Sequence, residues 1–337
     1  MGKVKYLFTR IKKMDKKVMF NKISEIHKKT GKNRIALFFD MVYCGFRYGA
    51  GYMDYDLYEM YNLTSKQRDT YLTRGRNNAI DKKFNNKAFI NELELKDRFN
   101  TNFNKYLKRD WVKVDGTDKK EVINFLNKHS EFMAKPIDGS CGKKIEKLKV
   151  SDFKSLDDLY EYLQNKNFEL EEVLVQNDEV AKIYPYSINT LRTVTILKDG
   201  EAHIITAMLR IGNNMKFVDN FNSGGMVAPV DEKTGVIIKP AIDKNKQLYE
   251  VHPITGTQIK GFQIPFWKET IEMVKEAAKV IPEVGYVGWD VGFTPNGPVF
   301  VEANDFPGHD IYQLPEHTPE KIGIWPKFNK YLKWFLN

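Results

Sequence analysis

The chain has 337 residues, of which 42% are apolar and 13% aromatic, and its formal net charge is +9. This composition is typical of a globular protein with room for two or three packed subdomains, and it excludes general disorder. No apolar run approaches the roughly 18 residues of a membrane-spanning helix, and no signal-peptide pattern is present, so we expect a cytoplasmic protein. Cys44 and Cys141 are the only cysteines. They lack metal or redox spacing, which fits a reducing compartment.

The first 34 residues are strongly basic. They contain 12 Lys or Arg against Asp15 and Glu25, a charge of +10, so the rest of the chain is close to neutral. Apolar residues at three- and four-residue spacing predict one or two amphipathic helices over residues 1–34. Such a helix either packs on the domain or contacts an anionic membrane surface at the inner face of the membrane. No nucleic-acid-binding motif accompanies the charge, so nucleic acid is not an expected partner.

Three further regions follow along the chain. We predict an N-terminal mixed domain over residues 35–110, a small α/β subdomain over 111–175 and a larger one over 176–337. Helical spacing covers residues 122–126 and 156–163, and another helix spans 266–281 before Pro282 ends it. Alternating runs at 192–197 and 203–210 flank a Lys-Asp-Gly-Glu turn and predict a β-hairpin.

A lysine and a glycine-bearing loop follow a short apolar run. Lys135 ends the run, and the loop is Gly139-Ser140-Cys141-Gly142-Lys143. Glycines let backbone N–H groups approach phosphate oxygens, and the lysines add positive charge. This is not a Walker A pattern, and a solvated turn is the alternative.

A second candidate site lies near the end of the chain. Apolar residues on both sides of Thr-Pro-Asn-Gly-Pro predict two strands that present Asp290, Glu302 and Asn304. Glu302 and Asn304 share a face because strand side chains alternate. Asp290 lies opposite Glu302 only if the connection is longer than two residues or a bulge shifts the register. Two carboxylates and an amide oxygen suit Mg²⁺; acidic groups on a solvated hairpin are the alternative.

Together these segments resemble the ATP-grasp superfamily, and more closely its sugar-transfer-associated branch of polysaccharide biosynthesis. The resemblance implies an α/β fold that holds ATP between two α/β subdomains, preceded by a helical or mixed segment. It implies that Asp290, Glu302 and Asn304 bind Mg²⁺. It implies that Asp178 or Glu179 holds the ribose. The nucleotide-binding positions that it implies are Arg98, Lys135, Gly139, Ser140, Cys141, Gly142, Lys143, Val175, Gln176, Asn177 and Glu179.

The resemblance also implies an activity, namely an ATP-dependent carboxylate–amine ligase that forms an amide through an acyl phosphate. Its substrates would be a small-molecule carboxylate and an amine or sugar, as when an amino acid is joined to a sugar or cell-surface polysaccharide precursor. Arg192 and Arg210 would be catalytic and stabilise the transferring phosphoryl group. Some ligases of the superfamily carry an arginine two residues before the metal-binding Asp; that position is Gly288 here, so Arg210 would replace it.

Two alternatives remain open. One is a phosphotransferase that acts on a hydroxyl, for which His252 or His309 would be the candidate base. The other is a non-catalytic ATP-binding module in a polysaccharide complex.

Overall fold

The computed structural model describes residues 15–138, 144–164, 166–213, 221 and 224–332. Within these ranges the chain forms two compact units. The first comprises residues up to 83 together with residues from 308 onward, and the second comprises residues 84–307.

This division differs from the boundaries predicted at 34/35, 110/111 and 175/176. The predicted boundary at 34/35 falls inside one continuous hydrophobic core, which runs from Met19 to Tyr71. The C-terminal residues join the first unit because their polar groups bond to it: Leu72 N donates to Gln313 Oε1 over 2.9 Å, and Trp325 N donates to Thr70 O over 2.8 Å.

The bounds of the helices and strands are as follows. The described α-helices are α1 (Lys16–Thr30), α2 (Arg34–Tyr48), α3 (Tyr52–Leu57), α4 (Ser65–Arg68), α5 (Arg74–Phe84), α6 (Asn91–Glu94), α7 (Lys96–Leu107), α8 (Lys119–Lys128), α9 (Leu156–Gln164), α10 (Asp178–Ile183), α11 (Trp267–Ala277) and α12 (Trp325–Leu332). The described strands are β1 (Trp111–Lys113), β2 (Glu131–Pro136), β3 (Glu146–Lys149), β4 (Phe168–Glu172), β5 (Leu191–Lys198), β6 (Glu201–Ile211), β7 (Met226–Val230), β8 (Ala241–Asp243), β9 (Leu248–Tyr249), β10 (Tyr286–Thr294) and β11 (Gly297–Asn304).

The first unit is helical, and its helices begin and end where the sequence supplies caps. Asp15 caps α1 by accepting a hydrogen bond from Val18 N, and Gly31 ends that helix with φ of 71°. Asn33 caps α2 by accepting from Ile35 N and Ala36 N. The buried faces of α1 and α2 recur at three- and four-residue spacing and pack together in the core.

The second unit contains two antiparallel sheets. The small sheet has the order β1-β4-β2-β3, and the large sheet has the order β11-β10-β5-β6-β7-β8-β9. Helices α8 and α9 supply apolar side chains to the core of the small sheet. The helices predicted around Lys135 and the mixed α/β architecture are therefore confirmed.

The predicted hairpin over residues 192–210 is also confirmed. β5 and β6 pair antiparallel around Asp199 and Gly200, which have φ of 52° and 77°. Two successive positive φ values are typical of the tight turn that matches the twist of a hairpin.

One face of the large sheet packs against α7 and α11. The rings of Phe103, Trp289 and Phe300 meet there with centroids 5.0–6.2 Å apart. The indole N–H of Trp289 donates to Thr195 Oγ1 over 2.9 Å, which satisfies its polar group inside the core. The opposite face of the same strands carries the candidate site.

Candidate active site

The C-terminal hairpin brings the three predicted metal ligands to one end of the large sheet. Thr294 pairs with Gly297, so the connection is short, but the register shifts after Asp290. The shift aligns Asp290 with Glu302 and leaves Asn304 opposite Gly288. The chain thus satisfies the register requirement with a β-bulge rather than with a longer loop.

Asp290 is buried and bonded to the two arginines predicted to be catalytic. Arg192, directly opposite on β5, donates through Nη2 to Oδ2 over 2.9 Å and through Nε to Oδ1. Arg210 Nη1 donates to Oδ2 over 2.6 Å. Burial alone would raise the pKa of Asp290, but the charges of Arg192 and Arg210 hold that pKa well below its usual value. Asp290 is therefore ionised at neutral pH.

Glu302 is the more basic of the two paired carboxylates. Its burial and the negative charge of Asp290 raise the pKa of Glu302 to about 7, against the opposing charge of Arg210. At neutral pH Glu302 is therefore about half protonated beside the ionised Asp290, because two buried carboxylates this close repel when both are ionised. A divalent cation would remove that repulsion.

The residues at this position fit a hard cation such as Mg²⁺. Asp290 and Glu302 supply carboxylate oxygens, which Mg²⁺ prefers, and one or two such groups commonly suffice. The side-chain nitrogen of Asn304 is buried and has no hydrogen-bond partner among the described residues. Since the two ends of an amide exchange by a rotation, Asn304 can present its oxygen without breaking a described bond.

Gly288 leaves space beside these ligands. A Cβ at this position would lie 3.2 Å from the side chain of Pro307, which is a tight contact, and 3.4 Å from Cδ of Arg192, which is an ordinary van der Waals contact. Arg210 contacts Asp290 from β6. That it replaces the arginine some ligases carry at the position of Gly288 stays a prediction.

Lys135 lies on the small sheet and contacts a buried carboxylate. Its Nζ donates to Glu171 Oε2 over 2.6 Å, and Arg109 Nε donates to the same oxygen over 2.7 Å. Burial alone would raise the pKa of Glu171, but the charges of Arg109 and Lys135 hold it well below its usual value. The ammonium group predicted to contact phosphate is thus positioned by an acidic residue that the sequence analysis missed.

Glu169 lies beside Glu171 on the same strand face. Burial and the negative charge of Glu171 raise the pKa of Glu169 to about 9, so this carboxyl is protonated at neutral pH. Asn100 donates to Glu169 over 2.7 Å and to Glu171 over 3.3 Å. The Glu-x-Glu spacing in β4, opposite Lys135 on β2, was a signal that could have found this pair.

Arg98, which the resemblance implies binds the nucleotide, is engaged with a glutamate. It is half exposed and pairs with Glu92 over 2.5 Å. The cation close to the site is Lys96: burial lowers its pKa, and Glu302 and Lys135 are among the charges that act on it. Helical spacing could have indicated this, because Lys96 shares a face of α7 with the buried Phe99 and Phe103, whereas Arg98 does not.

The segment from Val175 to Asn177, which the resemblance implies binds the nucleotide, follows β4. Val175 is exposed, and the amide of Gln176 bonds to the backbone of Tyr184 and Asn189. Asn177 caps α10 by accepting from Glu179 N over 3.0 Å. Gln176 and Asn177 therefore shape the loop with their side chains.

The two acidic candidates for the ribose contact lie in the first turn of α10. Glu179 is exposed and pairs with Lys182 over 2.6 Å, and Asp178 precedes it. The glycine loop Gly139, Ser140, Cys141, Gly142 and Lys143 lies outside the described residues.

The two candidate histidine bases are both engaged in the fold. His252 is buried; its Nε2 lies 3.0 Å from Gly212 O, and its Nδ1 accepts from Ile254 N over 3.2 Å. Burial lowers the pKa of His252, so it is neutral. His309 Nε2 lies 2.9 Å from Asp54 Oδ1. These contacts give both histidines structural roles.

Comparison with known protein families finds one family whose sequence model matches most of this chain. The sequence model of the family described as sugar-transfer associated ATP-grasp matches residues 67–319. A comparison with curated proteins finds no match.

Three ligases or synthetases are among the solved structures that match this chain. The ATP-grasp ligase PsnB complexed with minimal precursor is 14% identical, with a TM-score of 0.45 over 74% of this chain and 63% of that one. The D-alanine-D-alanine ligase from Coxiella burnetii is 13% identical, with a TM-score of 0.41 over 72% and 57%. The N5-carboxyaminoimidazole synthetase from Staphylococcus aureus complexed with ADP is 12% identical, with a TM-score of 0.41 over 65% and 46%. The chain thus spans less than two thirds of the length of each of these proteins.

Proposed function

The chain belongs to the sugar-transfer associated ATP-grasp family, and from this premise we propose that it is an ATP-dependent ligase that joins a carboxylate to an amine. The observation that carries the proposal is the buried Asp290–Glu302 pair beside Arg192 and Arg210. Two adjacent buried carboxylates next to two guanidinium groups support a site for a metal-bound polyphosphate.

Each residue has a defined part in the proposal. Asp290, Glu302 and Asn304 would hold Mg²⁺, which would neutralise negative charge on the phosphates of ATP. Lys135 and Lys96 contact the phosphates, with Glu171 orienting the ammonium of Lys135. The glycine loop at residues 139–143 enters the proposal from its sequence alone, and the backbone at residues 175–177 reads the adenine.

The chemistry then proceeds in two balanced steps. An oxygen of the substrate carboxylate attacks the γ-phosphorus and ADP leaves, which gives an acyl phosphate. The amine attacks the acyl carbon, phosphate leaves, and the amine loses a proton as the amide forms. Arg192 and Arg210 stabilise the transferring phosphoryl group and the later oxyanion, a role worth roughly 3 kcal/mol per donor.

The test is ADP and phosphate release from the purified chain with Mg·ATP. Amino acids are supplied with and without amino sugars, and hydroxylamine is added to trap an activated carboxyl. The proposal requires phosphate release that depends on the acid, a trapped hydroxamate, and loss of both in Asp290→Asn.

The alternative activities give different results in the same assay. ADP without free phosphate, together with a phosphorylated hydroxyl, would replace the proposal by a phosphotransferase. ATP binding without turnover on any acid would replace it by a binding module. The buried contacts of His252 disfavour it as a phosphotransferase base.

We further propose that the substrate is a sugar or polysaccharide precursor and that the protein binds it at an anionic membrane surface. No helix among the described residues is long and apolar enough to cross a membrane. The outer face of α2 nevertheless exposes Ile35, Phe39 and Phe46, and Phe20 of α1 is similarly exposed, each to at least half of its surface. Phe20 belongs to the basic segment 1–34 and Ile35 directly follows it, and exposed apolar groups near a basic segment suit anionic lipid interfaces.

Vesicle sedimentation tests this surface. The chain should bind vesicles that contain phosphatidylglycerol more tightly than vesicles of phosphatidylcholine alone, and added salt should weaken binding. Phe39→Ser combined with Phe46→Ser should reduce binding, whereas Phe89→Ser, an exposed aromatic of the second unit, should not. Equal binding by both variants would exclude α2 as the contact.

A further inference from the structure

A second group of metal-ligand side chains lies at the edge of the small sheet. Asp110 immediately precedes β1, His129 is the C-cap residue of α8, and Glu172 ends β4. One ligand atom from each of the three lies within 4.8 Å of the other two. Successive side chains of a strand point to opposite faces, so Glu172 points away from the face on which Glu171 meets Lys135.

The fold holds these three side chains in place. Asp110 N donates to a carboxylate oxygen of Glu172 over 3.1 Å, and Glu172 N donates back to Asp110 O over 2.9 Å. Nε2 of His129 lies 2.9 Å from Oδ2 of Asp110, and the imidazole is only 11% exposed. The ring of His129 rests on that of Phe125 with centroids 4.6 Å apart, which restricts its orientation.

The distances among the three ligand atoms and the types of these atoms are compatible with a single bound metal ion. Ligands of a zinc ion lie about 2.0–2.2 Å from it, and so roughly 3–4 Å from one another, which these atoms reach by moving about 1 Å. One imidazole nitrogen with two carboxylates suits a divalent transition ion, whereas Mg²⁺ and Ca²⁺ prefer oxygen ligands throughout. We infer that Asp110, His129 and Glu172 form a binding site for a divalent transition-metal ion of the zinc type.

The surroundings leave room for further ligands. The three residues line a cavity of about 750 Å³ together with polar and basic side chains, including Thr101 and Asn104. Water in this cavity can complete the coordination shell. A bound ion would tie the end of α8 to the two strands β1 and β4 and so stabilise the small sheet.

Three positively charged side chains among the described residues line the cavity and oppose the metal: Lys108, Arg109 and Lys128. Lys128 Nζ donates to Oδ2 of Asp110, the oxygen that His129 also approaches, but the lysine side chain is 67% exposed. Exposed ion pairs of this type are weak, so an entering cation can displace the ammonium group. Removing Lys128 should therefore strengthen metal binding, whereas removing any of the three ligands should weaken it.

The experiment measures binding of Zn²⁺ alone to the full chain by calorimetry, and of Co²⁺ by its visible absorption. The expected result is one site whose affinity falls at least about tenfold in His129→Ala and in Glu172→Gln. Lys128→Ala should bind several-fold more tightly. Because binding stabilises the folded state, Zn²⁺ should also raise the Tm of the unaltered chain but not that of His129→Ala.

Two controls separate this site from the proposed nucleotide site. Asp290→Asn should retain the Zn²⁺ site, and circular dichroism of His129→Ala without metal should match the unaltered chain. If His129→Ala misfolds, the opposite effects of Lys128→Ala and Glu172→Gln still decide the matter. Absence of a Zn²⁺ or Co²⁺ site that depends on Glu172 and Lys128 in this way would overturn the inference, whatever the outcome for ligase activity.

Discussion

Glu302→Gln should make the metal-free protein more stable at pH 8 while abolishing its Mg·ATP-dependent activity. The reason is the buried carboxylate pair: burial and the charge of Asp290 raise the pKa of Glu302 from 4.5 to about 7. A shift of about 2.5 units corresponds to roughly 3 kcal/mol by which the folded state disfavours ionised Glu302. A glutamine is neutral and can donate to Asp290 as the protonated carboxyl does.

The sign of this effect depends on pH. Because the pKa of Glu302 is raised on folding, the penalty is absent below about pH 4.5, where both the folded and the unfolded states are protonated. It grows as pH rises from 4.5, where the unfolded state ionises, and is complete above about 7, where the folded state also ionises. The stability advantage of Glu302→Gln should therefore be largest at pH 8 and small at pH 5.

The assay is thermal and denaturant unfolding of both proteins in EDTA at pH 5 and at pH 8. Glu272→Gln, an exposed site on α11, serves as the matched control and should change stability by less than about 0.5 kcal/mol. Adding Mg²⁺ should narrow the difference at pH 8, since the cation offsets the repulsion in the unaltered protein only. A variant no more stable than the unaltered chain at pH 8, or an advantage equal at both pH values, would refute this reasoning.

Three further predictions concern the same site. In steady-state kinetics, Lys96→Ala should raise the KM for ATP at least about tenfold, whereas Arg98→Ala should change it less than about twofold. A larger increase in KM for Arg98→Ala than for Lys96→Ala would instead support Arg98 as the phosphate contact. Glu171→Gln should destabilise the protein by about 3 kcal/mol because it leaves two buried cations without their partner. Glu169→Gln replaces a protonated carboxyl and should cost less than about 1 kcal/mol at pH 7. Chemical denaturation would measure both free energies of unfolding, and equal losses would contradict the assigned protonation. Asp290→Asn should lower kcat by at least about a hundredfold, and turnover near that of the unaltered chain would remove Asp290 from the site.

The part of the candidate site on the large sheet could be predicted from the sequence, because strand alternation and turn preferences depend only on neighbouring residues. Strand alternation and turn residues placed Glu302 and Asn304 on one face, and the need to align Asp290 predicted either a longer connection or a bulge. The bulge is what the structure shows. The hairpin of β5 and β6, which carries Arg192 and Arg210, followed from alternation and from a turn that favours positive φ.

Other features depend on contacts that no local pattern specifies. The resemblance pointed to Arg98 by its position in a motif, but burial along α7 favours Lys96. The roles of Arg109 and Glu171 arise from residues 62 positions apart that meet only in the folded unit. The grouping of residues from 308 onward with the first unit likewise rests on long-range bonds such as that of Gln313 to Leu72.

The most direct test of the central proposal follows an oxygen atom from substrate to product. The purified chain would be incubated with Mg·ATP, an amine and an acid whose carboxylate is labelled with ¹⁸O, and the released phosphate analysed by mass spectrometry. A ligase that acts through an acyl phosphate transfers one labelled oxygen to each phosphate, in step with amide formation. Released phosphate without label, or ADP formed with a phosphorylated hydroxyl product, would contradict the proposal.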